Sequence, residues 1–81
     1  MGDHEEEVTR SIEDELSLTP RQAQIARMLA MGQTNGEICT LLGISPKTFD
    51  SHRQAMLKRL GVRNNVELAR FAIKVGLVES P

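Results

Sequence analysis

Residues 34–61 read TNGEICTLLGISPKTFDSHRQAMLKRLG. Each half of this stretch carries its own start and stop signals. Thr34 stands three residues before Glu37, the spacing of a capping box, in which hydroxyl and carboxylate each satisfy an orphaned N–H at a helix start. Ile38, Leu41 and Leu42 then point inward, and Gly43 offers a left-handed stop. The second half opens on Ser45 as cap and on Pro46 at the first helical position, where a missing N–H costs nothing. Phe49, Met56 and Leu60 share a face, Leu57 borders it, and Gly61 ends the run. Only Gly43, Ile44 and Ser45 separate the two helices. A turn this short, with Gly at its start and Ile44 placed to plug the angle, is the signature of a helix-turn-helix.

The same grammar continues on both sides. Upstream, Thr19 caps, Pro20 takes the first helical position, Gln22 can complete a capping box, and Gly32 stops a helix whose buried stripe is Ile25, Met28 and Leu29. Downstream, Asn64 caps with Glu67 three residues on, and Gly76 ends the helix. In that last helix Leu68, Ala72 and Val75, with Phe71 beside them, form a stripe that can pack on the core, while Val66, Ala69 and Ile73 form a second stripe on another side. A helix apolar on two sides needs two partners. The expected architecture is all-α, with four helices near 20–31, 35–42, 46–60 and 65–75. Residues 3–16 allow two readings, an amphipathic helix with Val8, Ile12 and Leu16 inward or a disordered acidic arm. The chain thus divides into residues 1–17, an acidic arm or one extra helix, and residues 18–81, the helix-turn-helix domain.

Eighty-one residues make one domain at most, with a modest core. The net charge of −1 speaks against nucleic acid, but its distribution reverses that reading. Residues 1–17 hold seven acids against Arg10 alone, whereas residues 18–81 hold nine Lys and Arg against four acids. A basic domain can draw on counterion release at a polyanion. Phe49 and Phe71 are the only rings, too few for a single-strand binder built on stacked aromatics. The lone Cys39 leaves no disulfide and no zinc set, and is expected as a small core residue. No apolar run approaches ~20 residues, and no secretory signal opens the chain, so the expected location is the cytoplasm. The sequence offers no nucleophile–base set, phosphate-cradling loop or paired carboxylates, hence no enzyme, no metal and no cofactor.

At about 100° per residue, Lys47, Ser51, Gln54 and Lys58 share one face of helix 46–60, opposite Phe49, Met56 and Leu60, with Asp50 at one edge and Ala55 at the other. Such a face suits the major groove of DNA. Gln54 can bond adenine N6 and N7, Ser51 several base edges, and Ala55 can meet a thymine methyl. Lys47 and Lys58, toward the ends, would reach phosphates, and Thr48 could add a hydroxyl.

Residues 18–78 resemble the LuxR-type helix-turn-helix family, also called NarL/FixJ or GerE-like. The resemblance rests on L18-T-x-R, A30-x-G, T34-N-x-E-I, L42-G-I-S-P-K-T, H52-R, K58-R-L-G-V and N65-V-E-L-A. It implies a bacterial transcriptional regulator that binds double-stranded DNA sequence-specifically, with helix 46–60 as recognition helix and helix 65–75 as dimerisation element. The implied base readers are Asp50, Ser51 and Gln54. Implied backbone contacts are Thr34, Thr48, Lys58 or Arg59, and the Arg63–Asn64 region, with Lys47 and with His52, which matches a position near the backbone. The implied dimer contact is the second stripe, Val66, Ala69 and Ile73, with Arg70. The implied partners are duplex DNA in the nucleoid, a second copy of the chain at least on DNA, and RNA polymerase. Phe49 stands where the family usually has Val, Gly36 where Lys is common, and Gln22 and Gln24 where it has glutamates. Two other functions fit parts of the pattern. A sigma-factor-like promoter-recognition module shares the L-T-x-R opening and the helix-turn-helix. A protein-interaction module, an anti-activator or a partner regulated by a DNA mimic, would account for Asp50 and the acidic arm. The chain has no room for a receiver or small-molecule-sensing domain.

Overall fold

The computed structural model describes residues 12–78. Its long helices are α1 (Pro20–Ala30), α2 (Asn35–Leu42), α3 (Pro46–Leu60) and α4 (Asn65–Val75), and residues 12–16 ahead of them are helical. The described residues contain no strand, as the all-α expectation required. Thr19, Thr34, Ser45 and Asn64 stand in extended backbone and accept from the N–H groups of Gln22, Glu37, Thr48 and Glu67. Gln22 and Glu37 return the bond to the N–H groups of Thr19 and Thr34 at 3.0 and 2.9 Å, closing both capping boxes. Glu67 departs from this pattern, since its Oε1 accepts from the N–H of Arg63 at 3.1 Å, one residue ahead of the cap.

The helix ends share one hydrogen bond. The N–H groups of Gln33, Ile44, Val62 and Leu77 donate to the carbonyls five residues back, Met28, Cys39, Leu57 and Ala72, at 2.9 to 3.1 Å. In each case the preceding Gly takes the left-handed region that this closure requires. Gly43, at φ 65°, turns the chain from α2 into α3 and delivers Ile44 against the core. Residues 12–16 close in the same way without a glycine. Leu18 N–H donates to Glu13 O at 3.0 Å, and Ser17 sits at φ 57°. Helix α1 ends at Ala30, one residue short of expectation, because Met31 serves as its C-cap.

Ile25, Ile38, Met56 and Leu68 are fully buried, one from each long helix, and Leu18, Leu29, Phe49, Leu57 and Leu77 close around them. Burying a side chain of this size contributes about 1.5–3 kcal/mol relative to exposure. Helix α1 makes its broadest contact with α4, and α3 packs on α1 and α2. The ring of Phe49 is accommodated at 3% exposure, and Cys39 is buried as expected. Met28 and Val75 reach only half-burial. Leu41, expected inward, is 62% exposed. In this eight-residue helix the buried arc runs through Ile38, Leu42 and Cys39, and Leu41 falls about 100° from its centre.

The described part of residues 3–16 is helical. Ile12 and Leu16 pack half-buried on the core, and Arg27 Nη1 donates to Glu13 Oε1 at 2.9 Å. A Cβ placed on Gly76 would stand 3.4 Å from Ile12 Cδ1, so this segment lies against the end of α4. Val8 and the acids Asp3, Glu5, Glu6 and Glu7 lie outside the described residues.

Candidate nucleic-acid interface

The three-residue turn presents α3 with Phe49, Met56 and Leu57 against the core and the opposite side bare. On that bare side Lys47, Asp50, Ser51, Gln54, Ala55 and Lys58 are all exposed. Two features keep the start of the helix in shape. Ser45 Oγ accepts the N–H of Thr48 at 3.1 Å, and the Ser45 hydroxyl donates to Thr48 Oγ1 at 3.0 Å. Thr48 therefore keeps its own hydroxyl proton for an outside acceptor, such as a phosphate oxygen. Lys58 and Arg59 stand exposed at the far end, where cations also suit the helix dipole.

The remaining expected backbone contacts lie on other elements. Thr34 Oγ1 accepts from Glu37 N–H at 3.1 Å at the start of α2. The bonds from the N–H and the hydroxyl of Thr34 hold the Glu37 carboxyl below its ordinary value, so a fixed negative charge stands beside this position. Asn64 spends its Oδ1 on the cap of α4 at 2.9 Å. Arg63 is exposed, with its Nε 3.8 Å from Glu67 Oε2. His52 is half-buried. The bare side of α3 thus gathers the expected base readers with Lys47 and Lys58, whereas Thr34, Arg63 and Asn64 belong to the starts of α2 and α4.

The sequence reading overlooked Arg53, Asn65 and Asn35. Arg53 Nε donates to Asn65 Oδ1 at 2.9 Å, and Asn65 Nδ2 donates to Asn35 Oδ1 at 2.9 Å. Arg53 Nη1 also stands 3.9 Å from Asp50 Oδ1. A signal was available. At about 100° per residue Arg53 falls on the same arc as Phe49, Met56 and Leu60, and a cation on a buried stripe requires a partner.

The second stripe of α4 flanks a shallow groove. Val66, Ala69, Arg70 and Ile73 line it from α4, and Leu29, Gly32 and Gln33 from the end of α1. Val66 is 62% exposed, a large apolar side chain left in water. Among the described residues no group of His, Cys, Asp and Glu could hold a metal ion. No described helix is long and apolar enough to cross a membrane.

Residues 16–72 match the family of bacterial regulatory proteins described as the luxR family. The chain is 51% identical over 53 residues to the transcriptional regulatory protein UhpA of Escherichia coli (strain K12), covering 65% of this chain and 27% of that protein. It is 43% identical over 61 residues to the response regulator UvrY of the same strain, covering 75% of this chain and 28% of that protein. It is 33% identical over 72 residues to the uncharacterized response regulatory protein YgeK of that strain, covering 89% of this chain and 49% of that protein. The chain therefore spans about a quarter to a half of the length of these relatives.

Proposed function

The chain belongs to the luxR family of bacterial regulatory proteins, and from that premise we propose that it binds double-stranded DNA sequence-specifically, as a transcriptional regulator of the bacterial cytoplasm, with α3 in the major groove. The carrying observation is the bare side of α3, where Ser51, Gln54 and Lys58 stand exposed behind a turn of three residues. Asp50, Ser51 and Gln54 read base edges. Lys47, Thr48, His52, Lys58, Arg59, Thr34, Arg63 and Asn64 hold phosphates. The second stripe of α4, Val66, Ala69 and Ile73 with Arg70, meets a second copy on DNA, and RNA polymerase is a further partner. The transcriptional regulatory role named for UhpA supports this reading.

Selection of bound sequences from random duplex DNA tests it. The expected outcome is a recurring half-site, often repeated at a fixed spacing, with affinity falling steeply as salt rises. Recovery of no preferred sequence at low salt would overturn the reading. The protein-interaction alternative took Asp50 as one of its motives. The nearness of Arg53 supplies that carboxylate with a cation inside the domain, which favours the DNA reading over that alternative.

A further inference from the structure

We infer that Arg53 is the positioning residue for Asp50 and, through it, a determinant of base specificity; this rests on α3 being the recognition helix. Arg53 lies on the side of α3 turned toward the protein, its side chain only 19% exposed. Its Nε is bonded to Asn65, the first residue of α4, and Asn65 is bonded to Asn35, the first residue of α2. A guanidinium is a rigid planar fork, so pinning Nε also sets where Nη1 points. Nη1 is buried and meets no hydrogen-bond acceptor among the described residues. The Asp50 carboxylate stands 3.9 Å away, about 1 Å beyond a charge-assisted hydrogen bond.

A small swing of the Asp50 side chain closes that gap and satisfies the buried donor. The carboxylate then rests in one orientation set by α2 and α4 rather than in several set by solvent. It offers about four lone-pair sites, so one bond to Arg53 leaves others for a cytosine N4 amine. Holding the reader in place before DNA arrives removes an ordering cost from binding. The neighbouring cation also offsets the repulsion between Asp50 and phosphates.

The test compares the parent chain with Asp50→Asn, Arg53→Gln, Arg53→Lys and the Asp50→Asn/Arg53→Gln double variant. Each is titrated with the duplex selected by the parent and with duplexes altered at one base pair at a time. Arg53→Gln is expected to lose about tenfold in discrimination at the base pair where Asp50→Asn also loses it, with the double variant no worse than either single. Arg53→Lys keeps the charge without the fork, and is expected to retain affinity while losing that same discrimination. If Arg53→Gln does not fold by circular dichroism, Asn65→Ala, which removes the pin and the bond to Asn35 but leaves the guanidinium in place, is expected to show the same site-specific loss. Equal weakening on every duplex, with base preferences unchanged, would overturn the inference and leave the DNA reading standing. A parent chain that binds no duplex overturns both.

Discussion

On the bare side of α3, the Gln54 side chain makes no hydrogen bond to any described residue, so both halves of its amide are available to an adenine edge. Gln54→Ala is expected to cost about 1–3 kcal/mol of binding and to relax preference at one base pair, read by titration against single-base variants of the selected site. Lys58 is exposed and is proposed to meet phosphate, and Lys58→Ala should then weaken all duplexes alike and flatten the salt dependence. Asp50→Asn separates two uses of a carboxylate. Loss of preference at one C·G pair marks readout, whereas tighter and less selective binding marks repulsion of wrong sequences. Glu37 tests capping at the same scale. Its carboxyl, ordinarily near 4.5, is lowered first by the Thr34 N–H and then by the Thr34 hydroxyl. A carboxyl lowered by folding contributes stability that is present above its ordinary value and is lost as pH falls through the lowered one. In Glu37→Gln the amide oxygen can still accept, as Gln22 does in α1. Thermal melts from pH 6 to pH 3 should therefore show the parent losing more stability than this variant.

Each helix is bounded by residues next to it in sequence, which is why the starts and stops of α1 to α4 could be read within a residue from Thr, Ser, Asn, Pro and Gly. The helix at residues 12–16 ends in the same closure with Ser17 in the left-handed region, and no glycine announced it. Ser17→Gly is expected to stabilise by up to about 1 kcal/mol, because glycine adopts that backbone without strain although it loses more chain entropy on folding. Gly43→Ala is the mirror experiment. A Cβ there would meet nothing within 4 Å, so its cost of about 1–2 kcal/mol is purely one of backbone. Urea unfolding checks both signs. The candidate site was legible in part for the same reason that the helices were. One helix's polar side follows from its own periodicity, which gathered Lys47, Ser51, Gln54 and Lys58. The Arg53–Asn65–Asn35 chain was not legible, because it joins three helices whose relative placement no local pattern encodes. Leu41 failed differently, since a helix of eight residues has too few apolar positions to show where its buried arc is centred.

For the molecule as a whole, the proposed reading gives the bare side of α3 and the groove along α4 a partner each. Val66 is exposed, so Val66→Glu should leave folding stability within about 0.5 kcal/mol. On DNA the same change should cost about tenfold or more in affinity for a two-half-site duplex, because the second copy no longer adds its hold, and little for a single half-site. Gel shifts on the two duplexes decide between a dimer contact on α4 and a merely exposed side chain. The helix closures have a consequence in time as well as in space. Each of α1 to α4 is started and stopped by its immediate neighbours, and the segments between them are short, so little chain entropy must be surrendered before packing repays it. Helical domains built this way refold in microseconds to milliseconds. A ribosome adds about 5–20 residues per second, so this unit can reach its working shape within the interval of a single translation step.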